Sequence, residues 1–338
     1  MRTKDPQLFF SSKELKSSFP ISEKDRKFIS TSRRLAQDIL QGKEKRKALI
    51  VGPCSVHERV AILDFAKRYK NLSSKVKKSF FCVLRFFVEK PRTHLGWKGY
   101  VYDPMVDGSN NIIFGIIEAR KMLIELAKMQ IPCAMEFLDP LIASYFDDLI
   151  TWGFIGSRTC SSQIHRQLAS SLDFPIGFKN ASDGDVSSPI YSAHSASTSH
   201  SFLSVDDTGH ITFKKSNGNP HTHLVLRGSK DKTNFDKASI DQALTALKNY
   251  PISNKVIVDC SHGNKNTAMP QIDAFQCVID QIKEGSDFIA GIMLESFIKK
   301  GRQDPKNTSL EYGLSITDEC LSFEKTEELI FNAHTQLL

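Results

Sequence analysis

Short runs of β-branched and apolar residues recur eight times along this chain, and longer segments with helical periodicity separate them. This alternation is typical of βα units, in which each strand is followed by a helix that packs on the sheet. Eight units favour a closed parallel (β/α)8 TIM barrel, although a doubly wound open sheet has much the same local pattern. The predicted strands are residues 48–51, 80–87, 131–137, 154–158, 175–179, 223–227, 255–260 and 289–294.

The intervening segments complete an α/β organisation. Residues 110–129 carry a broad apolar stripe at helical spacing, and a second clear helix begins near Asp236. Asp and Gly at 206–209 predict a turn, so we expect a β-hairpin at about 202–222, inserted after strand five. Residues 1–45 are expected to form an N-terminal helical extension, and residues 46–338 the barrel domain.

Composition and charge exclude several classes of protein. Apolar residues make up 40% of the chain and charged residues 25%, which is enough apolar material for a sizeable core. No apolar run reaches the roughly 18 residues of a membrane span, so we expect a cytoplasmic protein without a membrane partner. The net charge of +7 is dispersed and lacks an aromatic-interleaved basic strip, which argues against nucleic-acid binding. The seven cysteines form no Cys-x-x-Cys pair and are expected to be reduced.

Nearly every predicted strand ends at or just before a side chain that binds anions or takes part in catalysis. In an α/β barrel these positions meet at the C-terminal mouth, where active sites of that fold lie. Each residue alone is more often an ordinary core or surface residue, so the conjunction carries the prediction. Because buried like charges repel strongly, the cluster of cations predicts a pocket for at least two phosphate or carboxylate groups. The residues concerned are Cys54, Arg85, Lys90, Arg92, Glu136, Arg158, Lys179, Arg227, His262 and Glu295.

A second theme is metal binding. Cys54, His262 and Glu295 would bring sulfur, nitrogen and oxygen donors to the same mouth. This mixture suits Mn²⁺, Fe²⁺, Co²⁺ or Zn²⁺ better than Mg²⁺ or Ca²⁺. The sequence contains no dinucleotide fingerprint, no P-loop, no His-Glu-x-x-His and no Gly-x-Ser-x-Gly, so nucleotide and serine-hydrolase chemistries lose most of their support.

Nine ordered motifs closely resemble those of the type I 3-deoxy-D-arabino-heptulosonate 7-phosphate (DAHP) synthases. The resemblance runs from about Leu15 to the C-terminus, and the Lys-Pro-Arg-Thr segment is its most specific part. The motifs are VGPCSVH (51–57), EKPRT (89–93) with GWKG (96–99), EFLD (136–139), GSRT (156–159), GFKN (177–180), LRG (226–228), DCSH (259–262), LES (294–296) and SITD (315–318).

The resemblance implies a metal-dependent transferase of the shikimate pathway. Such an enzyme condenses phosphoenolpyruvate, D-erythrose 4-phosphate and water to DAHP and phosphate, the first step towards the aromatic amino acids. The implied metal ligands are Cys54, His262, Glu295 and Asp318. The implied phosphoenolpyruvate residues are Arg158 and Arg227 for the phosphate and Arg85, Lys90 and Lys179 for the carboxylate. Arg92 and Thr93 would hold erythrose 4-phosphate, and the implied catalytic residues are Lys90, His262, Glu136 and Lys179.

The family also suggests how the protein is assembled and controlled. Its members imply a homo-oligomer, dimer or tetramer, and an aromatic amino acid effector bound partly beside residues 138–144 and 172–174. Ala143 and Asp173 stand here where relatives carry Pro and Ser, which leaves the effector open. The extension at residues 1–45 contains no proposed ligand, so it is expected to serve association or regulation.

Two alternatives to this function stay open at the level of sequence. The sibling 3-deoxy-D-manno-octulosonate 8-phosphate synthase uses arabinose 5-phosphate, and it typically has Lys-Ala-Asn-Arg-Ser where this chain has Lys-Pro-Arg-Thr at 90–93. A non-catalytic phosphosugar-binding barrel is the other alternative, because a fold alone does not determine function. The complete set of metal ligands argues against a pure binding protein.

Overall fold

Eight parallel strands close into a barrel, with helices between them. The computed structural model describes residues 9–229, 232–263 and 271–338. The strands, in chain order, are β1 (Lys47–Gly52), β2 (Phe80–Arg85), β3 (Cys133–Glu136), β4 (Trp152–Ile155), β5 (Ile176–Lys179), β6 (Ser201–Val205), β7 (Ile211–Lys215), β8 (Thr222–Arg227), β9 (Val256–Asp259), β10 (Ile289–Phe297) and β11 (Leu321–Ser322). The helices are α1 (Ser12–Ser18), α2 (Glu23–Leu40), α3 (Arg59–Val76), α4 (Ile112–Lys128), α5 (Pro140–Phe146), α6 (Gln163–Ser170), α7 (Ser187–Ala196), α8 (Lys237–Leu247), α9 (Gln271–Lys283) and α10 (Phe323–Gln336).

Strand pairing confirms the closed barrel over the open sheet. The order is β1-β2-β3-β4-β5-β8-β9-β10, and β10 pairs in parallel with β1 from Ala48↔Gly291 to Gly52↔Glu295. All eight strands therefore point their carboxyl ends at one mouth, as the sequence predicted. Among the described residues, no helix is long and apolar enough to cross a membrane.

Several predicted strands extend too far at their carboxyl ends. Strand β4 ends at Ile155 and β9 at Asp259, so Arg158 and His262 lie three residues beyond their strands, in the mouth loops. The ladder with neighbouring strands stops at these points. The short strand β11 pairs with the end of β10 and was not predicted.

The inserted hairpin is shorter than the predicted 202–222. Its strands β6 and β7 pair from Ser201↔Lys215 to Val205↔Ile211, and Thr222 already belongs to barrel strand β8. The carboxylate of Asp206 accepts hydrogen bonds from backbone N–H groups across the turn, and Gly209 takes a φ of 90° there. The turn chemistry was therefore predicted correctly, whereas the end of the second strand was not.

The two long predicted helices are confirmed with small shifts at their ends. Helix α4 begins after Asn111, whose side chain accepts a hydrogen bond from the N–H of Phe114. Helix α8 begins after Asp236, which caps it in the same way through the N–H of Ser239. The segment between β5 and the hairpin contains helix α7.

The N-terminal extension is part of the barrel's core. Helix α2 places Ala36, Ile39 and Leu40, all at most 3% exposed, in the same apolar cluster as Ile50 and Met293 of barrel strands. This helix thereby closes the amino-terminal end of the barrel, a structural role that the sequence did not predict. The first eight residues of the extension lie outside the described residues.

Candidate active site at the barrel mouth

The structure brings the four predicted metal ligands together. Cys54 follows β1, His262 follows β9, Glu295 lies on β10 and Asp318 lies in the loop before β11. One donor atom from each of them lies within 4.8 Å of the others. That span is only slightly longer than the roughly 4.5 Å between ligands on opposite sides of one ion. The mixed sulfur, nitrogen and oxygen set therefore fits a divalent transition metal.

Cys54 is a predicted ligand that must lose its thiol proton to bind a metal ion as a thiolate. Burial raises the pKa of its thiol to about 11, with Glu295 acting in the same direction and Lys90 opposing it. The Lys90 ammonium donates to the Cys54 sulfur over 2.6 Å. Although burial opposes its charge, Cys54, Glu295 and Asp318 raise the pKa of Lys90. Because a thiolate is the form that binds metals, metal binding here would displace the thiol proton.

Glu295 is held in place through both its backbone and its carboxylate. Its N–H donates to the Ser261 hydroxyl at 2.8 Å and to the Gln271 side-chain carbonyl at 3.0 Å. Its carboxylate accepts from Arg85 at 2.9 Å and lies 3.2 Å from His262 Nε2. Burial opposes ionisation, yet His262 and Arg85 together hold the pKa of Glu295 below its usual range.

Asp259 lies within one of the motifs, but the sequence analysis assigned it no role. Its fully buried carboxylate accepts from the Lys179 ammonium at 2.8 Å and lies 3.0 Å from His262 Nδ1. Burial opposes its charge, but Lys179 and His262 hold the pKa of Asp259 well below its usual range. One carboxylate thus orients a predicted substrate lysine and a predicted metal ligand. The sequence did contain a signal for this role of Asp259, because a carboxylate near a strand end stands three residues before His262, a predicted metal ligand.

Arg85 is completely buried next to the metal-ligand residue Glu295. In addition to Glu295, its guanidinium donates to the carbonyls of Pro53 and Cys54 at 3.1 and 3.2 Å. It also stacks on Phe87, with 3.7 Å between the guanidinium carbon and the ring centre. Its contact with phosphoenolpyruvate stays a prediction.

Two further arginines lie at the mouth, one in the loop after β4 and one at the end of β8. Within the described parts of the chain, neither Arg158 nor Arg227 has a carboxylate within 4.0 Å. Arg227 donates to the Ser157 hydroxyl at 3.0 Å, and burial together with the charge of Arg158 lowers its pKa. The exposed Arg158 donates to the Thr93 hydroxyl at 2.8 Å. These cations form the part of the mouth that most favours an anionic ligand.

The remaining predicted residues line the same opening. Glu136, 8% exposed, lies against Gly156, where a Cβ atom would come within 2.0 Å of its Oε1. A glycine at that position therefore leaves room for the carboxylate. The exposed Arg92 donates its Nε–H to the carbonyl of Trp97 at 2.7 Å, within the loop after β2.

The fold and this mouth define a class: an α/β-barrel enzyme with four metal-ligand residues beside two arginines that form no ion pair within the described residues. Comparison with known sequences then identifies the family. Residues 18–330 match the profile of the DAHP synthetase I family. The chain belongs to this family.

Individual relatives extend over almost the entire chain. It is 38% identical to the Tyr-sensitive phospho-2-dehydro-3-deoxyheptonate aldolase of Salmonella typhimurium, over 100% of this chain and 95% of that protein. It is 39% identical to the Trp-sensitive aldolase of Escherichia coli, over 98% of this chain and 95% of that protein. The solved structure of the Francisella tularensis aldolase matches with a TM-score of 0.96 at 38% identity, covering 99% of this chain and 98% of that one.

The buried position of Asp259 generates a prediction about metal affinity. Asp259→Asn removes the negative charge that orients His262, so the affinity for Mn²⁺ should fall roughly 10- to 100-fold. Competition with a chromogenic chelator measures this without an activity assay. Asp280→Asn, on the exposed face of α9, serves as the control and should bind as wild type does. Unchanged affinity in Asp259→Asn would contradict the role assigned to this carboxylate.

Proposed function

We propose that this protein condenses phosphoenolpyruvate with D-erythrose 4-phosphate and water to give DAHP and phosphate, at the entry to the shikimate pathway. The observation that carries the proposal is the convergence of the four-donor cluster, Lys90 and the pair Arg158 and Arg227 at one barrel mouth. The family match and the DAHP synthase names of its relatives support the same reaction.

The metal is a divalent transition ion, Mn²⁺, Fe²⁺, Co²⁺ or Zn²⁺, held by Cys54, His262, Glu295 and Asp318. Their donor set and spacing support this assignment. When bound, such an ion supplies Lewis-acid polarisation of a carbonyl oxygen. Lys90, 3.6 Å from the Asp318 carboxylate, lies beside this site and would donate a hydrogen bond to the oxygen that becomes negative as the aldehyde is attacked.

The cations divide the two substrates between them. Arg158 and Arg227 would bind the phosphate of phosphoenolpyruvate, with Lys179 near its carboxylate. Arg92 and Thr93 would bind the distal phosphate of erythrose 4-phosphate. The hydrogen bond between Arg158 and Thr93 supports neighbouring phosphate subsites for the two substrates.

The proposed reaction forms one carbon–carbon bond and requires a group that takes up the proton of the attacking water. Carbon 3 of phosphoenolpyruvate attacks the aldehyde, water adds at carbon 2, and the tetrahedral product expels inorganic phosphate. Glu136 and Lys179 are the proposed partners for the water proton, and His262 belongs to the catalytic set through the metal site. Glu136 is buried at the mouth, and Lys179 is already hydrogen-bonded to a carboxylate, which supports a role in proton movement.

Chelation tests the metal assignment. EDTA should abolish phosphate release, and added Mn²⁺ should restore it, because the proposed ligands form the Lewis-acid site. Cys54→Ser should retain metal more weakly than wild type, since a hydroxyl is a much poorer ligand than a thiolate. Metal content after dialysis, measured by atomic emission, provides a readout independent of turnover. Full activity in exhaustively demetallated protein would contradict the assignment.

Substrate assignment is tested by two arginine variants. Arg92→Ala should raise the KM for erythrose 4-phosphate roughly tenfold or more, because a charge-assisted phosphate contact contributes about 1.5–3 kcal/mol. The KM for phosphoenolpyruvate should change little, and Arg158→Ala should show the opposite pattern. Steady-state phosphate release with each substrate varied in turn measures both constants.

Arabinose 5-phosphate serves as the competing acceptor in the same assay. Preference of the wild-type enzyme for this five-carbon sugar would favour the sibling synthase instead. An effect of Arg92→Ala on phosphoenolpyruvate alone would show that the loop after β2 has been assigned to the wrong substrate.

We further propose that the extension at residues 1–45 and the hairpin serve association and regulation, while residues 46–338 form the catalytic barrel. Lys13 donates its backbone N–H to the carbonyl of Asp207 at the hairpin turn, so α1 contacts the hairpin. Arg33 of α2 pairs with Asp173 at 2.8 Å, beside the region proposed for an effector. The Tyr- and Trp-sensitive relatives support an aromatic amino acid as that effector.

The hairpin presents an apolar face that fits a second copy of the chain, as a dimer or tetramer. Opposed pairs Leu203↔Phe213 and Val205↔Ile211 share this face, with exposures of 77%, 71%, 39% and 79%. Four large exposed side chains on one ribbon are typical of a protein contact. A cytoplasmic location is the matching proposal for the compartment, since all seven cysteines are free thiols.

Disrupting this apolar face should change the oligomer. Phe213→Glu introduces a charge at the proposed contact, so it should reduce the molecular mass measured by light scattering. Lys214→Glu alters the neighbouring exposed position, which belongs to the other face, and should leave the mass unchanged. Identical masses for Phe213→Glu and wild type would exclude this face as the interface.

A further inference from the structure

Glu89 is a buried carboxylate with no role in the reaction described above. It is 1% exposed and immediately precedes Lys90. Its two oxygens accept hydrogen bonds from the backbone N–H groups of Leu138 and Asp139, at 3.2 and 3.1 Å. The Tyr102 hydroxyl donates to the Asp139 carboxylate at 3.0 Å and lies 3.4 Å from Glu89 Oε1. One side chain therefore fastens the loop after β2 to the loop after β3.

The Leu138 backbone is also held from the other side. Its carbonyl accepts from His165 Nε2 at 2.7 Å, which leaves His165 Nδ1 to accept from the Ser162 hydroxyl at 2.9 Å. His165 lies on α6, which follows the loop that carries Arg158. Leu138 thereby joins three mouth loops, and Glu89 is the link that reaches the loop after β2.

The root of that loop is closed tightly around Glu89. The N–H of Lys90 donates to the carbonyl of Lys98 at 2.9 Å, so the chain returns beside its own start. Gly99 takes a φ of +112°, and a Cβ atom there would come within 2.4 Å of the Val88 carbonyl and 2.7 Å of Glu89 Cα. By contrast, residues 92–96 at the tip are exposed. The orientation of residues 92–96 therefore depends on the contacts that hold residues 88–90 and 98–99 in place.

We propose that Glu89 is a positioning residue for the acceptor substrate: it orients the loop whose Arg92 and Thr93 hold the phosphate of erythrose 4-phosphate. The inference rests on the proposed function for the identity of that substrate. The anchoring itself rests only on the hydrogen bonds of Glu89. A loss of anchoring moves the tip relative to the buried wall of the mouth, whereas Arg227 and Lys179 lie on other strands. Arg158 touches the loop only through its hydrogen bond to Thr93, so the effect should fall mainly on erythrose 4-phosphate.

Kinetics of two substitutions in the metal-loaded enzyme test the proposal. Glu89→Gln keeps one acceptor and turns its amide N–H₂ towards the second backbone donor, so the KM for erythrose 4-phosphate should rise roughly three- to tenfold. Glu89→Ala removes both acceptors and should raise it by roughly tenfold or more. The KM for phosphoenolpyruvate should stay within about twofold of wild type in both. This graded and one-sided response separates positioning from a general loss of stability.

Hydrogen exchange provides a readout that does not depend on substrate identity. Both backbone amides, of Leu138 and Asp139, should exchange faster in Glu89→Ala because they lose their acceptors, and one of the two should exchange faster in Glu89→Gln. Glu118→Gln serves as the matched control, since Glu118 is a partly buried carboxylate on α4 that pairs with Arg59 and Lys121. It should match wild type in both KM values and in exchange at these amides.

Each outcome decides the proposal. Unchanged exchange, or equal rises in both KM values, would overturn it. Should Glu89→Ala fail to fold, Glu89→Gln and Tyr102→Phe carry the test, with a smaller rise for erythrose 4-phosphate expected in Tyr102→Phe. If wild type does not turn over erythrose 4-phosphate at all, the proposed function fails, while faster exchange would still establish the anchor.

Discussion

Charge compensation between buried groups is the constraint on which the mouth of this barrel depends. Glu295 neutralises Arg85 and Asp259 neutralises Lys179, and all four side chains are almost completely excluded from solvent. A buried charge without such a partner would be strongly destabilising. His262 contacts the carboxylates of both Asp259 and Glu295, so the two buried ion pairs and the metal-ligand residues form one connected network.

This arrangement changes the meaning of the cation cluster. Several cations at one mouth suggested that all of them await anionic ligands, but Arg85, Lys90 and Lys179 already have carboxylate partners within the protein. Among the described residues, Arg158 and Arg227 form no ion pair with a carboxylate, and burial together with the charge of Arg158 lowers the pKa of Arg227, so a bound anion would relieve their repulsion. The barrel thus distinguishes cations that form ion pairs beside the metal-ligand residues from cations that remain for phosphate, because, within the described residues, direct ion pairs with carboxylates fall on the first set.

Elements outside the eight βα units have two different relations to the barrel. Helix α2 is structural, because its buried Ile39 and Leu40 fill the amino-terminal end that the strands leave open. The hairpin β6–β7 stands away from the core and exposes apolar side chains such as Phe213. Helix α1 touches that hairpin, so the first part of the chain connects the exposed ribbon to the closed end of the barrel.

The sequence by itself determined the eight βα units, because strand periodicity is local, and it favoured a barrel in which the carboxyl ends of parallel strands bring the predicted mouth residues together. The motif around Lys90 also determined the family. The pairing of β10 with β1, which closes the barrel, was decided by the tertiary structure. Only the tertiary structure decided which groups pair: Asp259 with Lys179, Arg85 with Glu295, and Glu89 with backbone amides. These partners lie as many as 210 residues apart, so their distances and burial arise only when the strands close into the barrel.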